Sequence, residues 1–302
     1  MMFFFMMLNY FIGVGFFMFI ERKILGLAQI REGPSKILFK GNVQFLMDLI
    51  KLVLKFWNEL IFMGNLFLYL IMPFILFMNM IIMWFFFPFI YVFFNNMFSI
   101  IYLIVLLTLK MMYFMFMVYL LYSIYSVISV IRMVVQIISY DIVLILILIY
   151  YFLMHLSFKF SLILLLNEKF NLSLFFSLMM FVFWLISIMV ELIRLPFDFY
   201  EGESELISGF NIEFSSLLFM VLVLVEYMEM IYFMMMTLFL FIYSITMSFI
   251  FYLMFFLMVF FLIWIRVFFV RYRLDKMMVL LWKFMFPLCI MIIMFFYYYN
   301  FF

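Results

Sequence analysis

The chain of 302 residues is 74% hydrophobic and 11% charged, with a mean hydropathy of +1.42. No water-soluble core absorbs that much apolar surface, so the chain reads as an all-α integral membrane protein. A net charge of +2 gives no reason to expect a nucleic-acid partner, one cysteine excludes an internal disulfide, and one histidine excludes the common Cys/His zinc sites.

About 20 apolar residues cross a bilayer as a helix. Candidate spans fall near 2–20, 66–87, 98–121, 134–156, 170–193, 214–238, 240–265 and 279–300, which predicts eight transmembrane helices. The first has no charge before Glu21 and lacks the basic n-region of a secretory signal, so it reads as a retained membrane helix. Pro73 and Pro88 would bend or end the second span, and Pro196 should stop the fifth. The division between the sixth and seventh is the weakest signal, because no polar loop separates Met234 from Ser248. The excess of Phe and Met, with alanine only at Ala28, reads as the codon bias of an AT-rich organellar genome rather than as a packing signal.

Alternation of these spans places loops 21–65, 122–133, 194–213 and 266–278 on one side. They hold every loop lysine and arginine except Lys159 and Lys169. Lys110 and Lys283 lie within or at the edge of spans. This asymmetry supports the count of eight and puts both termini on the other side. Within 21–65, residues 41–57 read GNVQFLMDLIKLVLKFW. Val43, Leu46, Met47, Ile50, Leu54 and Trp57 recur at helical spacing, with Asp48, Lys51 and Lys55 opposite, as in an amphipathic helix lying in the interface.

Several motifs carry chemistry. ERKILG sets Glu21 and Arg22 at the membrane surface, as positive-side anchors or as the rim of a cavity for an amphipathic ligand. IRMVVQIISYD spaces Arg132, Gln136 and Tyr140 one helical turn apart, just before Asp141. Such a row faces protein or water rather than lipid, as interhelical glue or as a polar relay. The stretch ELIRLPFDFYEGESELISGFNIEF holds six of the fifteen carboxylates: Glu191, Asp198, Glu201, Glu203, Glu205 and Glu213. Crowding acids in one short connection costs repulsion and pushes some toward protonation near neutral pH, which suits proton uptake. Glu191 and Arg194 are three apart and can pair. Glu226 and Glu229 sit three apart inside an apolar span, where an unpaired carboxylate costs on the order of 3 kcal/mol; the polar-path reading is placed on Glu226. Arg266, Arg271 and Arg273 form a cluster suited to anionic lipid heads or an acidic partner surface.

Taken together, ERKILG, IRMVVQIISYD, RLPFDFYEGESELISGFNIEF, VEY and WIR…RYRLDKMMVLLWK closely resemble, in order and spacing, the mitochondrially encoded subunit 1 family of respiratory NADH:ubiquinone oxidoreductase, complex I. The likeness spans nearly the whole chain. It implies a single membrane domain (1–302) of eight transmembrane helices plus an amphipathic surface helix. The domain would lie in the mitochondrial inner membrane with basic loops toward the matrix. It further implies ubiquinone as substrate and no redox centre or covalently held cofactor in this chain, with NADH, FMN and iron–sulfur clusters in partner subunits. The implied partners are peripheral quinone-site subunits, small membrane-arm subunits and membrane lipid. By this resemblance Glu21, Arg22, Asp198, Glu201, Glu203, Glu205 and Arg273 line the quinone cavity. Arg132, Asp141, Glu191, Arg194, Glu213 and Glu226 belong to the proton path. The chain departs from the family pattern at Asp141, where glutamate is usual, at Glu32, which replaces a basic residue, and at Lys55-Phe56, where a Lys-Glu pair is usual. SSLLFMVLVLVEY also replaces a smaller-residue approach to VEY. A channel or transporter subunit, or the related membrane subunit of a hydrogenase, is the alternative reading.

Overall fold

A computed structural model describes residues 2–33, 41, 44–59, 66–87, 98–155, 157–159, 174–199, 209, 213–214, 216–242 and 249–301. These residues form helices and connections, with no strand among them. The helices are α1 (Met2–Ala28), α2 (Gln44–Glu59), α3 (Leu66–Phe85), α4 (Ser99–Val118), α5 (Ile124–His155), α6 (Leu174–Glu191), α7 (Ser216–Thr237), α8 (Phe249–Phe268), α9 (Leu274–Val279) and α10 (Phe286–Phe301). A π-helical turn, Leu238–Ile242, continues α7, and another, Leu280–Met285, joins α9 to α10.

Five described stretches are long and apolar enough to cross a membrane: Ser99–Val118, Ile124–Met154, Ser216–Phe241, Phe249–Phe268 and Leu274–Tyr298. Two shorter apolar helices are Tyr69–Phe85 and Ser177–Glu191. Several boundaries differ from those expected. The first helix runs on past residue 20 to Ala28, so Glu21 and Arg22 are helical rather than part of a loop. The fourth expected span begins ten residues early, at Ile124, and draws Arg132 into the helix; the expected loop 122–133 is replaced by a connection at 119–123. An apolar-window reading misses these extensions because it stops at the first charge, whereas the backbone ladder continues wherever a charged side chain finds a partner. Pro73 lies inside α3, and Pro88 lies outside the described residues.

α7 is apolar around most of its circumference, which suits a central helix. It packs against α1, α2, α3, α6 and α8, while α5 packs against α4, α6 and α10. The core is dense in large rings: Trp84, Phe87 and Tyr232 meet edge-on or tilted, and Trp184 is fully buried beside Phe233. The outer helices α8 and α10 leave apolar side chains such as Phe256, Leu257, Met291 and Met294 exposed, a surface suited to lipid or to another apolar chain. α2 turns Phe45, Leu49 and Leu52 toward the bundle and leaves Leu46, Met47, Ile50, Val53 and Leu54 exposed, so its apolar stripe points away from the protein. Gly15 permits this docking: a Cβ there would lie 2.2 Å from the Phe45 ring.

α1 and α6 end alike. In each, the amide of the residue two past the last turn bonds back five residues (Arg31 to the Gly26 carbonyl, Arg194 to the Met189 carbonyl), and the amide before it bonds back to Leu27 or Val190. These are Schellman caps, and the residue in the left-handed position is isoleucine in both, Ile30 (φ 55°) and Ile193 (φ 52°). The cap on α6 turns the chain sharply after Glu191 and aims Arg194 back at α1.

Candidate functional site

Three groups of ionisable side chains occupy the end of the bundle where α1, α6 and α8 finish, and a fourth lies inside it. At the end, Glu21 of α1 is buried. Its carboxylate accepts from Arg266 Nη1 at the end of α8 (2.5 Å) and from the Tyr227 hydroxyl on α7 (2.6 Å), and it pairs with Arg194 at 3.6 Å. The Arg194 guanidinium lies over the Tyr227 ring, 4.7 Å from its centre. One carboxylate thus gathers four elements that the sequence keeps far apart. Arg22, the next residue, faces the other way and meets Asp48 of α2 at 3.4 Å in an exposed pair. That pair stands beside an apolar cleft between α1, α2 and α7, lined by Met18, Phe19, Phe45, Leu49, Phe219 and Val223 among others.

A second group ties the connection after α6 to the one before α9. Arg271 bonds the Asp198 carbonyl through Nε and Nη2, and lies 3.5 Å from the Asp198 carboxylate. The Tyr272 amide donates to the Pro196 carbonyl at 2.8 Å. Gln136 of α5 closes the same turn from below, donating from Nε2 to the carbonyls of Val190 (2.8 Å) and Phe197 (2.9 Å). Gln136 therefore acts as interhelical glue. Tyr140, one turn on, is buried with its ring 6.5 Å from that of Phe197. Arg132 is half-buried one turn before Gln136.

The third group caps α5. Glu213 accepts from the backbone amides of Tyr122 (3.1 Å) and Ser123 (2.6 Å) and from the Ser126 hydroxyl (2.7 Å), while Tyr69 donates to its carbonyl. A carboxylate at a helix N-terminus meets free N–H groups and the positive end of the helix dipole. Burial alone would raise the Glu213 carboxyl, but the hydrogen bonds from Ser126, Ser123 and Tyr122 outweigh it and hold the group below its ordinary value.

The fourth group lies wholly inside the bundle. The Lys110 ammonium, on α4, is 2.7 Å from Glu191 of α6 and 2.5 Å from Glu229 of α7, and all three are buried. Asp141 of α5 is within electrostatic reach of all three, and both of its carboxylate oxygens are buried without a hydrogen-bond partner among the described residues. Glu226 is half-buried one turn before Glu229 and close enough for mutual repulsion.

Of the expected site residues, Glu21 and Arg194 come together, as do Glu191 and Asp141. Arg22 stands at the cleft. Asp198 and Glu213 are tied into the same end of the bundle. Arg273 is exposed at the start of α9, and among the described residues the acids are met instead by Arg266 and Arg271. Glu201, Glu203 and Glu205 lie outside the described residues. Lys110 and Glu229 carry no role in the sequence motifs. Their signal was an ionisable side chain inside an apolar span, which by itself points to a polar interior.

The family model described as NADH dehydrogenase matches residues 1–297. Proteins named NADH-ubiquinone oxidoreductase chain 1 are similar along nearly the whole chain. The one from Apis mellifera ligustica is 35% identical, covering 97% of this chain and 95% of its own length. That from Rhipicephalus sanguineus is 35% identical over 94% and 90%, and that from Anopheles gambiae 32% over 94% and 90%.

Proposed function

This chain belongs to the NADH dehydrogenase family, as a membrane subunit of complex I, and on that premise we propose that it forms the membrane part of the quinone cavity and passes the effect of quinone reduction into a carboxylate path. The observation that carries the reading is the pairing of an apolar cleft beside Arg22 with ionisable groups leading from Glu21 and Arg194 to buried Glu191 and Asp141. A long-tailed quinone needs an apolar passage with a few polar groups at one end, and the cleft between α1, α2 and α7 has that character. Arg22 and Asp48 stand at its rim, and Glu21 lies one residue inward, held by Arg194 and Arg266.

In this reading Glu21, Arg22, Asp198, Glu201, Glu203, Glu205 and Arg273 serve the cavity. Arg132, Asp141, Glu191, Arg194, Glu213 and Glu226 serve the proton path. The unpaired buried oxygens of Asp141 and Glu191 support it, because such atoms call for a proton or an ordered water. The chain spans the mitochondrial inner membrane eight times: the five long apolar stretches, the shorter α3 and α6, and α1. The connections that gather around Glu21, Asp198 and Glu213 face the matrix, where the basic residues concentrate. The exposed stripe of α2 rests on lipid. Nicotinamide, flavin and iron–sulfur chemistry belong to partner subunits, which dock on the matrix end and along the exposed apolar helices.

The test is Glu226→Gln in the assembled complex, which keeps volume and hydrogen bonding but removes titration. Oxidation of NADH by a hydrophilic acceptor stays intact, while quinone-linked turnover and proton pumping fall together. Full turnover and pumping in an assembled variant would take Glu226 out of the path.

A further inference from the structure

Lys110 is the one lysine or arginine buried inside a membrane-crossing helix among the described residues, and neither side of its pairing is local. Its partners stand 81 and 119 residues away, on α6 and α7. A lysine in the middle of an apolar helix is costly unless it is paired, and one carboxylate would suffice to pair it. Here the ammonium is shared by two, Glu191 Oε1 and Glu229 Oε1, with Asp141 in reach as a third and Glu226 behind Glu229. The Phe114 ring, 5.9 Å from the ammonium, flanks it on its own helix. One cation therefore faces more anionic oxygens than it can neutralise.

We propose that Lys110 is a positioning residue of the carboxylate path and that Glu229 is a second member of it, the shared ammonium joining the α6 carboxylate to α7. This rests on the path reading above and extends it to two residues outside the family motifs. The coupling is Coulombic. When a proton reaches Glu191, that carboxylate loses its charge and the ammonium is left to Glu229. When the proton leaves, the ammonium is shared again. A change at the end of α6 is thereby felt on α7, one turn from Glu226, without movement of the backbone. Because the ammonium carries three protons on a flexible stem, it can lean from one oxygen to the other within hydrogen-bond reach.

The experiment uses the assembled complex with Glu229→Gln, Lys110→Met/Glu229→Gln, Lys110→Arg and Glu191→Gln. Glu229→Gln keeps shape and removes a buried acid, so it is the variant least apt to disturb folding. The double variant removes one cation and one anion and leaves the net charge of the group unchanged. The measurements are quinone reductase activity, protons pumped per NADH, and NADH oxidation by a hydrophilic acceptor as the control. The expected result is a loss of about fivefold or more in quinone-linked turnover and pumping for Glu229→Gln and for the double variant, with the control intact. Lys110→Arg, which keeps the cation, retains more of both than the double variant does. Normal turnover and pumping in Glu229→Gln and the double variant, with Glu191→Gln impaired, would overturn the proposal and leave Lys110 and Glu229 as charge-balancing core. Equal loss of quinone-linked and control activities, at reduced complex content, would overturn it as well. Normal pumping by Glu191→Gln too would instead overturn the path reading beneath it.

Discussion

Glu21 and Arg266 meet at 2.5 Å although one ends the charge-free stretch of α1 and the other closes α8. The pair is a joint between the first and a late helix, and Arg194 and Tyr227 complete it from α6 and α7. Replacing Glu21 by Gln keeps the shape but leaves two guanidinium groups in a partly buried place without their anion. Breaking a buried pair by removing one partner costs about 3–5 kcal/mol. Since 30% of the Arg266 side chain is still exposed, solvent screening brings the expected loss below that range, to about 2–3 kcal/mol. Thermal unfolding of the purified complex checks this: Glu21→Gln melts earlier than wild type, and Glu21→Asp, which keeps the charge on a shorter stem, falls between them.

Much of this architecture was legible from the residues. Apolar windows fall on the helices, and the period of residues 41–57 anticipates α2, which runs Gln44–Glu59, because a helix with one polar face writes its period into the sequence. ERKILG and the acidic stretch fall at the end of the bundle where Glu21, Asp198 and Glu213 are tied together. What remained hidden were partners across long sequence separations. Helix geometry puts Arg194 within pairing distance of Glu191, three residues away. The cap at Ile193 instead turns Arg194 outward to Glu21 and leaves Glu191 to Lys110. No local rule reveals such a reversal, because an isoleucine in a left-handed conformation gives none of the signal a glycine would.

The acid limb of stability should report on Glu213. Its folded-state carboxyl is held below its ordinary value of 4.5, so its contribution is present above that value and is lost as pH falls through the lowered folded value. Glu213→Gln removes the charge that receives the Tyr122 and Ser123 amides at the entry to α5. The variant therefore melts below wild type at neutral pH, and the difference between the two shrinks as pH drops below 4.5. A difference that stays constant across this range would show that the carboxylate charge contributes nothing to capping α5.

The two isoleucine caps give opposite expectations. A left-handed conformation costs an L-residue about 1–2 kcal/mol, and glycine escapes that cost while adding up to about 1 kcal/mol of chain entropy to the unfolded state. Ile30 is 97% exposed, so its side chain has no packing to lose. Ile30→Gly should stabilise by about 0.5–1 kcal/mol. Ile193 packs against the core and aims Arg194, so Ile193→Gly loses contacts as well as relieving strain and should destabilise. Melting temperatures of the two variants, measured side by side in the complex, should move in opposite directions.

The docking of α2 on α1 depends on an absent side chain. A Cβ at Gly15 would lie 2.2 Å from Cδ2 of Phe45 and 2.4 Å from Cε2, well inside contact distance. Gly15→Ala must therefore displace the Phe45 ring, which also touches Phe16 and lines the apolar cleft. Overpacking of this kind costs about 1–3 kcal/mol. Because the obstacle is one ring, trimming it should relieve the clash: Gly15→Ala combined with Phe45→Leu is expected to recover part of the loss, a positive coupling between adjoining sites. Since the ring forms a wall of the cleft, Gly15→Ala should also raise KM for a long-tailed quinone more than for a short-tailed one, and the double variant should narrow that gap. Stability and tail-length dependence both unchanged in Gly15→Ala would show that α2 can shift without cost and that its contact with α1 does not shape the cleft.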